Sequence, residues 1–132
     1  VTAAHKRVVV VDDEPSVGAA VRDLLVPEGY EVEAPTNPEA ALPELLRAAP
    51  DLVILDVNMP GMSGWEFCSL LRRQSATRTV PVLFLTGRQE VRDRITAMQV
   101  GGSDYLSKPF GADELREKVR LLLKTRRRRE ER

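Results

Sequence analysis

Cysteine is nearly absent: Cys68 is the only one in 132 residues, so no disulfide can close within the chain and a reducing compartment suits it. Net charge is absent too. Twenty basic residues balance twenty acidic ones, which removes any chain-wide attraction to nucleic acid, anionic membrane or acidic substrate and leaves electrostatics to local clusters. No apolar run approaches the ~20 residues of a membrane-spanning helix, and the first residues lack the charged-then-apolar plan of a signal peptide. The expectation is a soluble, cytoplasmic protein with no membrane partner. Room for a second domain is also lacking, since 132 residues that are 42% hydrophobic make one unit around one substantial core. The chain starts at Val1 rather than Met and ends in a run of arginines and glutamates, which reads as a piece cut from something longer.

What is present is an alternation of apolar runs and amphipathic stretches. Val8 to Val11 form a β-branched run without polar alternation, as a strand covered on both faces requires, and Leu52 to Leu55 and Val82 to Leu85 repeat the pattern. Shorter strands are expected at Tyr30 to Ala34 and Tyr105 to Ser107. Between them Val17, Val21, Leu24 and Leu25 recur at helical spacing, with Pro15 suited to a first turn and Gly29 to a helix end. Asn37 and Pro38 announce a second helix through Leu45 and Leu46, which Pro43 should distort or delay. Ser63 can cap a third helix carrying Trp65, Phe67, Leu70 and Leu71. A fourth is expected from about Arg88 to Gln99 with Val91, Ile95 and Met98 inward, stopped by Gly101 and Gly102. The fifth runs from about Ala112 to Lys124, with Leu115, Val119 and Leu122 on one stripe and Asp113 and Glu114 at its positive end.

Five strand and helix pairs describe an α/β fold with a five-stranded parallel sheet and helices on both faces. Such sheets bind ligands outside the carboxyl ends of the strands, near the point where strand order reverses. The residues at those ends are Asp12 and Asp13, Asp56, Thr86 and Lys108. Three carboxylates on one rim repel one another unless a cation neutralises them, and a hard divalent ion such as Mg²⁺ takes oxygen ligands of this type. An ammonium and a metal together would lower the charge on a phosphoryl group enough for a carboxylate to attack it. Thr86 can donate its hydroxyl to a phosphoryl oxygen, and the product would be an aspartyl phosphate.

Singly, each residue has a plainer reading. Asp13 or Glu14 suits a helix cap, Thr86 a strand end, Lys108 a surface side chain, and Tyr105 a half-buried strand aromatic. Trp65 and Phe67 suit packing, and Cys68 suits a small buried hydrophobe. The arginine run reads as a solvated helix end or linker, with direct nucleic-acid binding by this domain disfavoured. What outweighs these readings is five coincidences at strand ends in one order.

Four segments carry a resemblance over about Lys6 to Lys124. They are Val-Val-Val-Val-Asp-Asp-Glu-Pro at 8 to 15, Asp-Leu-Val-Ile-Leu-Asp-Val-Asn-Met-Pro-Gly-Met-Ser-Gly at 51 to 64, Leu-Thr-Gly at 85 to 87, and Gly-Gly-Ser-Asp-Tyr-Leu-Ser-Lys-Pro-Phe at 101 to 110. In order and spacing they are similar to response-regulator receiver domains of two-component signalling systems. The resemblance implies a CheY-like (βα)5 fold with strand order 2-1-3-4-5. It implies a receiver unit over 6–124, with 125–132 a basic tail or the start of a linker to an output domain. It also implies phosphorylation of Asp56 by a sensor histidine kinase or phosphotransfer protein. Mg²⁺ would be held by Asp12, Asp13, Asp56 and the backbone carbonyl of Asn58, Lys108 would contact the phosphoryl group, and Pro109 would follow a cis bond. Thr86 and Tyr105 would move together as the switch, changing the face built from the fourth helix, fifth strand and fifth helix. The domain would catalyse only its own phosphorylation and dephosphorylation. Arg88, Glu90, Arg92, Asp93, Arg94 and 114–118 make that face mixed in charge, which permits a symmetric homodimer. Ser103 and Asp104, where many dimerising relatives carry two acids, weigh against it. Gly87 leaves its loop less restrained, and Arg88 stands where it would affect the water that hydrolyses the acyl phosphate.

Two rival classes are a phosphatase with a turnover aspartyl phosphate and a receiver-like interaction module that is never phosphorylated. The first resembles an Asp-x-Asp-x-Thr pattern, whereas Asn58 stands two residues beyond Asp56. The second sits poorly with the joint presence of Asp12, Asp13, Asp56, Thr86 and Lys108.

Overall fold

The computed structural model describes residues 6–87 and 91–130, with side chains described for 6–87 and 94–124. Strands β1 (Arg7–Val11), β2 (Glu31–Glu33), β3 (Leu52–Asp56), β4 (Val82–Thr86) and β5 (Asp104–Ser107) alternate with helices α1 (Pro15–Leu25), α2 (Pro38–Arg47), α3 (Gly64–Arg73), α4 (Val91–Gln99) and α5 (Ala112–Glu130). The sheet order is β2-β1-β3-β4-β5 and every pairing is parallel. Strand order therefore reverses at β1, and the crevice between the ends of β1 and β3 is where such folds place ligands.

The period of two along each strand divides the core into two layers. Val9, Val11, Val53, Leu55, Val82 and Phe84 face α2, α3 and Ala97 of α4. Val8, Val10, Leu52, Ile54, Leu83 and Leu85 face Val21 and Leu25 of α1 and Leu115, Val119 and Leu123 of α5. The uninterrupted apolar runs of β1, β3 and β4 are the signature of strands buried on both sides. Each fully buried Leu or Val removes enough apolar surface to contribute ~1.5–3 kcal/mol, so the middle strands form the rigid floor of the rim above them.

Local signals act as expected at most boundaries. Ser63 caps α3 by accepting from Glu66 N at 3.2 Å, and Asn37 caps α2 by accepting from Ala40 N at 3.2 Å. Gly29 (φ 97°) closes a short 3₁₀ turn, Val26–Glu28, that follows α1. Pro43 does not delay α2, which starts at Pro38 with Ala41 N donating to Asn37 O at 3.0 Å. The carbonyl that Pro43 deprives of a helical partner belongs to Glu39, an exposed residue that water reaches.

The inward face of α4 differs from expectation. Ile95 and Met98 are 52% and 67% exposed, and the residue turned to the sheet is Ala97. At about 100° per residue, positions 95 and 98 fall well away from the direction of Ala97. A small residue lets α4 lie close to β5, and Gly102 N donates to Ala97 O at 2.7 Å in the turn that follows. Val91, Arg92 and Asp93 lie outside the described side chains, and Arg88 and Glu90 outside the described residues. The last helix is longer than expected, continuing past Lys124 to Glu130. No described helix is long and apolar enough to cross a membrane.

Candidate functional site

β1, β3, β4 and β5 each lead into polar residues at the carboxyl edge of the parallel sheet. β1 runs into Asp12, which is 2% exposed, and then half-buried Asp13. β3 ends in Asp56 (5% exposed) and β4 in Thr86 (3%). Lys108 follows β5, and its backbone N–H donates to Thr86 O at 2.7 Å, so the fourth and fifth strand ends are tied together. The Lys108–Pro109 peptide is cis.

The side chains converge. Lys108 Nζ lies 2.9 Å from Asp12 Oδ2 and 3.4 Å from Asp56 Oδ1. One oxygen each from Asp12, Asp13 and Asp56 fall within 4.8 Å of one another. The alternative role of Asp13 or Glu14 as a helix cap is not realised, since the cap of α1 has no side-chain hydrogen bond. Instead Glu14 N donates to Asp12 Oδ1 at 2.9 Å, and Asn58 N donates to Asp56 Oδ1 at 3.3 Å.

Three carboxylates against one ammonium leave the rim negative, and Asp56 registers it. Burial and then the charge of Asp12 push its carboxyl up to about 6, against the opposing pull of Lys108 and the Asn58 N–H. Burial alone would lower the Lys108 ammonium, but its close ion pair with Asp12 and the charge of Asp56 outweigh that and raise it. Lys108 is therefore a fixed cation at neutral pH. Asp12 Oδ2, fully enclosed, is charge-paired with Lys108 at 2.9 Å yet receives no hydrogen bond of good geometry. A buried anionic oxygen with spare lone pairs, beside two further carboxylates, is a donor set that fits a hard divalent cation.

Two residues without an assigned role in the sequence help to shape this region. Gly64 begins α3 where a Cβ would stand 2.2 Å from Asp56 O, so only glycine lets α3 approach the acidic strand end. Arg94, expected only as part of a charged face, places its guanidinium carbon 4.8 Å from the centroid of the Tyr105 ring. Tyr105 is half-buried on β5 in register with Phe84, and Phe84 meets Trp65 edge-on at 4.6 Å between centroids. Spacing along the sequence flagged neither residue; a close backbone approach and a contact across elements become visible only in three dimensions. Cys68 is fully buried, with burial pushing its thiol up to about 11, as a small core hydrophobe requires.

The family model of the response regulator receiver domain matches residues 8–120. Sensory transduction protein RegX3 of Mycobacterium tuberculosis is 39% identical over 117 residues, which cover 89% of this chain and 50% of that protein. The chain thus spans about half the length of the curated relatives it matches. Among solved structures, chemotaxis protein CheY4 of Vibrio cholerae superposes with a TM-score of 0.85 at 34% identity, covering 90% of this chain and 99% of that one. The receiver domain of sensor histidine kinase PA1611 from Pseudomonas aeruginosa, solved with a magnesium ion coordinated in its active-site cleft, gives 0.82 at 28% identity, covering 91% and 98%. With one sheet order, one acidic rim and a family match over most of its length, this chain belongs to the response regulator receiver domains, the signalling domains of two-component systems.

Proposed function

We propose that Asp56 is the phosphoacceptor of a Mg²⁺-dependent switch, fed by a sensor histidine kinase or a phosphotransfer protein. The observation that carries this reading is the Lys108 ammonium set between Asp12 and Asp56, 2.9 and 3.4 Å away, beside a third carboxylate. Asp12, Asp13, Asp56 and the Asn58 carbonyl would hold the cation. When bound, it supplies positive charge to the carboxylates and to the phosphoryl oxygens.

In the transfer step an Asp56 carboxylate oxygen forms a bond to phosphorus as the donor's phosphorus–nitrogen bond breaks, and the imidazole leaves with the electron pair and takes up a proton. Lys108 balances charge on a phosphoryl oxygen, and Thr86 donates its hydroxyl to another. The domain acts on no external substrate; it assists only its own phosphorylation and dephosphorylation. The new group carries close to two negative charges, and its contacts with Thr86 and Lys108 favour an inward position of their loops. Tyr105 follows Thr86, and the α4–β5–α5 face changes shape.

That face is supported as a docking surface by exposed Ile95 and Met98 on α4. A partner protein or a second copy of the chain would read it. The half-length match to the curated relatives supports a receiver unit over 6–124 that leads through 125–132 towards an output domain of the whole protein. The proposed setting is the cytoplasm, compatible with the free thiol of Cys68. Incubation with acetyl phosphate tests the proposal: intact mass should show one phosphoryl group on the native protein with Mg²⁺, and none with a chelator or in Asp56→Asn. Equal labelling of Asp56→Asn would refute it.

A further inference from the structure

Tyr105 has one polar neighbour whose position the switch reading above does not explain. Its ring packs from one side against the layer that contains Phe84, its cross-strand partner. On α4, Arg94 brings its guanidinium to 4.8 Å from the ring centroid, within cation–π range. The acid nearest in sequence, Asp104, is engaged elsewhere: Oδ1 accepts from Tyr105 N at 2.8 Å and Oδ2 pairs with Lys118 Nζ at 2.9 Å. The ring is thus held between an apolar layer and a cation, and the cation belongs to a different element. A turn that carried the ring away from α4 would break this contact.

We propose that Arg94 is a positioning residue for Tyr105, holding the ring in its present place and so setting how far the unphosphorylated domain populates its active face. This inference rests on the switch reading only for its consequence in signalling; the contact itself stands on geometry. It is a property of this chain's α4 and is not needed for the chemistry at Asp56.

An exposed cation–π contact shifts an equilibrium by about two- to fivefold, and that is the size of effect to read. The chain has two tyrosines, so incorporation of 3-fluorotyrosine gives two ¹⁹F resonances, and Tyr30→Phe assigns them. Without phosphodonor, Arg94→Ala and Arg94→Gln should both move the Tyr105 resonance towards the position reached with Mg²⁺ and beryllofluoride, and leave Tyr30 in place. Arg94→Lys, which keeps the charge, should lie between them and the native protein. The beryllofluoride concentration at half-conversion should fall about two- to fivefold in Arg94→Ala. An unchanged Tyr105 resonance and midpoint in Arg94→Ala overturns the inference. Failure of beryllofluoride to move Tyr105 in the native protein would instead sink the switch reading, and a Tyr105 resonance unmoved in donor-free Arg94→Ala would still overturn the role of Arg94.

Discussion

Replacing Asp56 with Asn should stabilise the metal-free protein, and the gain should depend on pH in a defined direction. The Asp56 carboxyl stands at about 6 instead of an ordinary 3.8 because burial and the Asp12 charge penalise its ionised form. A carboxyl raised in the folded state holds its proton more tightly there than in the unfolded chain. Its contribution to stability is therefore full below about pH 3.8 and is lost as pH climbs through 6. The rise corresponds to ~3 kcal/mol, which water entering across the open rim reduces to about 1–2 kcal/mol. Lys108 does not alter this sign, since its attraction is already included in the net rise. Asn keeps the shape and removes the charge. Urea denaturation in chelator at pH 4 and at pH 7 should show Asp56→Asn no more stable than the native protein at the lower pH and about 1–2 kcal/mol more stable at the higher. Mg²⁺ should then narrow the gap at pH 7, because it stabilises the native rim by binding. An equal difference at both pH values would refute the idea that carboxylate crowding strains this site.

Lys108→Ala leaves two buried carboxylates without their ammonium; it should cost about 1–3 kcal/mol at pH 7 by urea denaturation, with the loss reduced at pH 4 as Asp56 takes its proton. Gly64→Ala forces a Cβ against Asp56 O and should destabilise by ~1–3 kcal/mol while slowing labelling by acetyl phosphate, measured on the same sample by melting and by mass. The Cys68 thiol, fully buried and raised to about 11, should resist alkylation at pH 8 until the protein is unfolded, so labelling in native buffer at the rate of a free thiol would contradict its placement.

Much of this molecule could be read from its residues, and the reasons differ by element. The uninterrupted apolar runs of β1, β3 and β4 announce buried parallel strands because nothing in them offers a solvent face. The positions of Asp12, Asp56, Thr86 and Lys108 at strand ends were legible because a strand end fixes where the next residue goes, and the structure brings the carboxylates of Asp12 and Asp56 to the Lys108 ammonium. α4 was misread because Ile95 and Met98 look like core residues, and helical spacing does not reveal that a small Ala97 allows the closest approach to the sheet. α2 was underrated because Pro43 tells only of a lost N–H, whereas the exposure of Glu39 decides the consequence. Arg94 over Tyr105 and Gly64 against Asp56 were invisible because each joins elements that the sequence does not relate.

In the proposed function the crowded acids, with Lys108 and a divalent cation, turn Asp56 into an acceptor for a phosphoryl group. Acetyl phosphate treatment followed by borohydride reduction and peptide mapping tests it most directly, since reduction marks an acyl phosphate at its own residue. The mark is expected at Asp56 alone, dependent on Mg²⁺ and greatly weakened in Lys108→Ala. A mark at Asp12 or Asp13, or one at Asp56 that forms equally well in chelator, would contradict it.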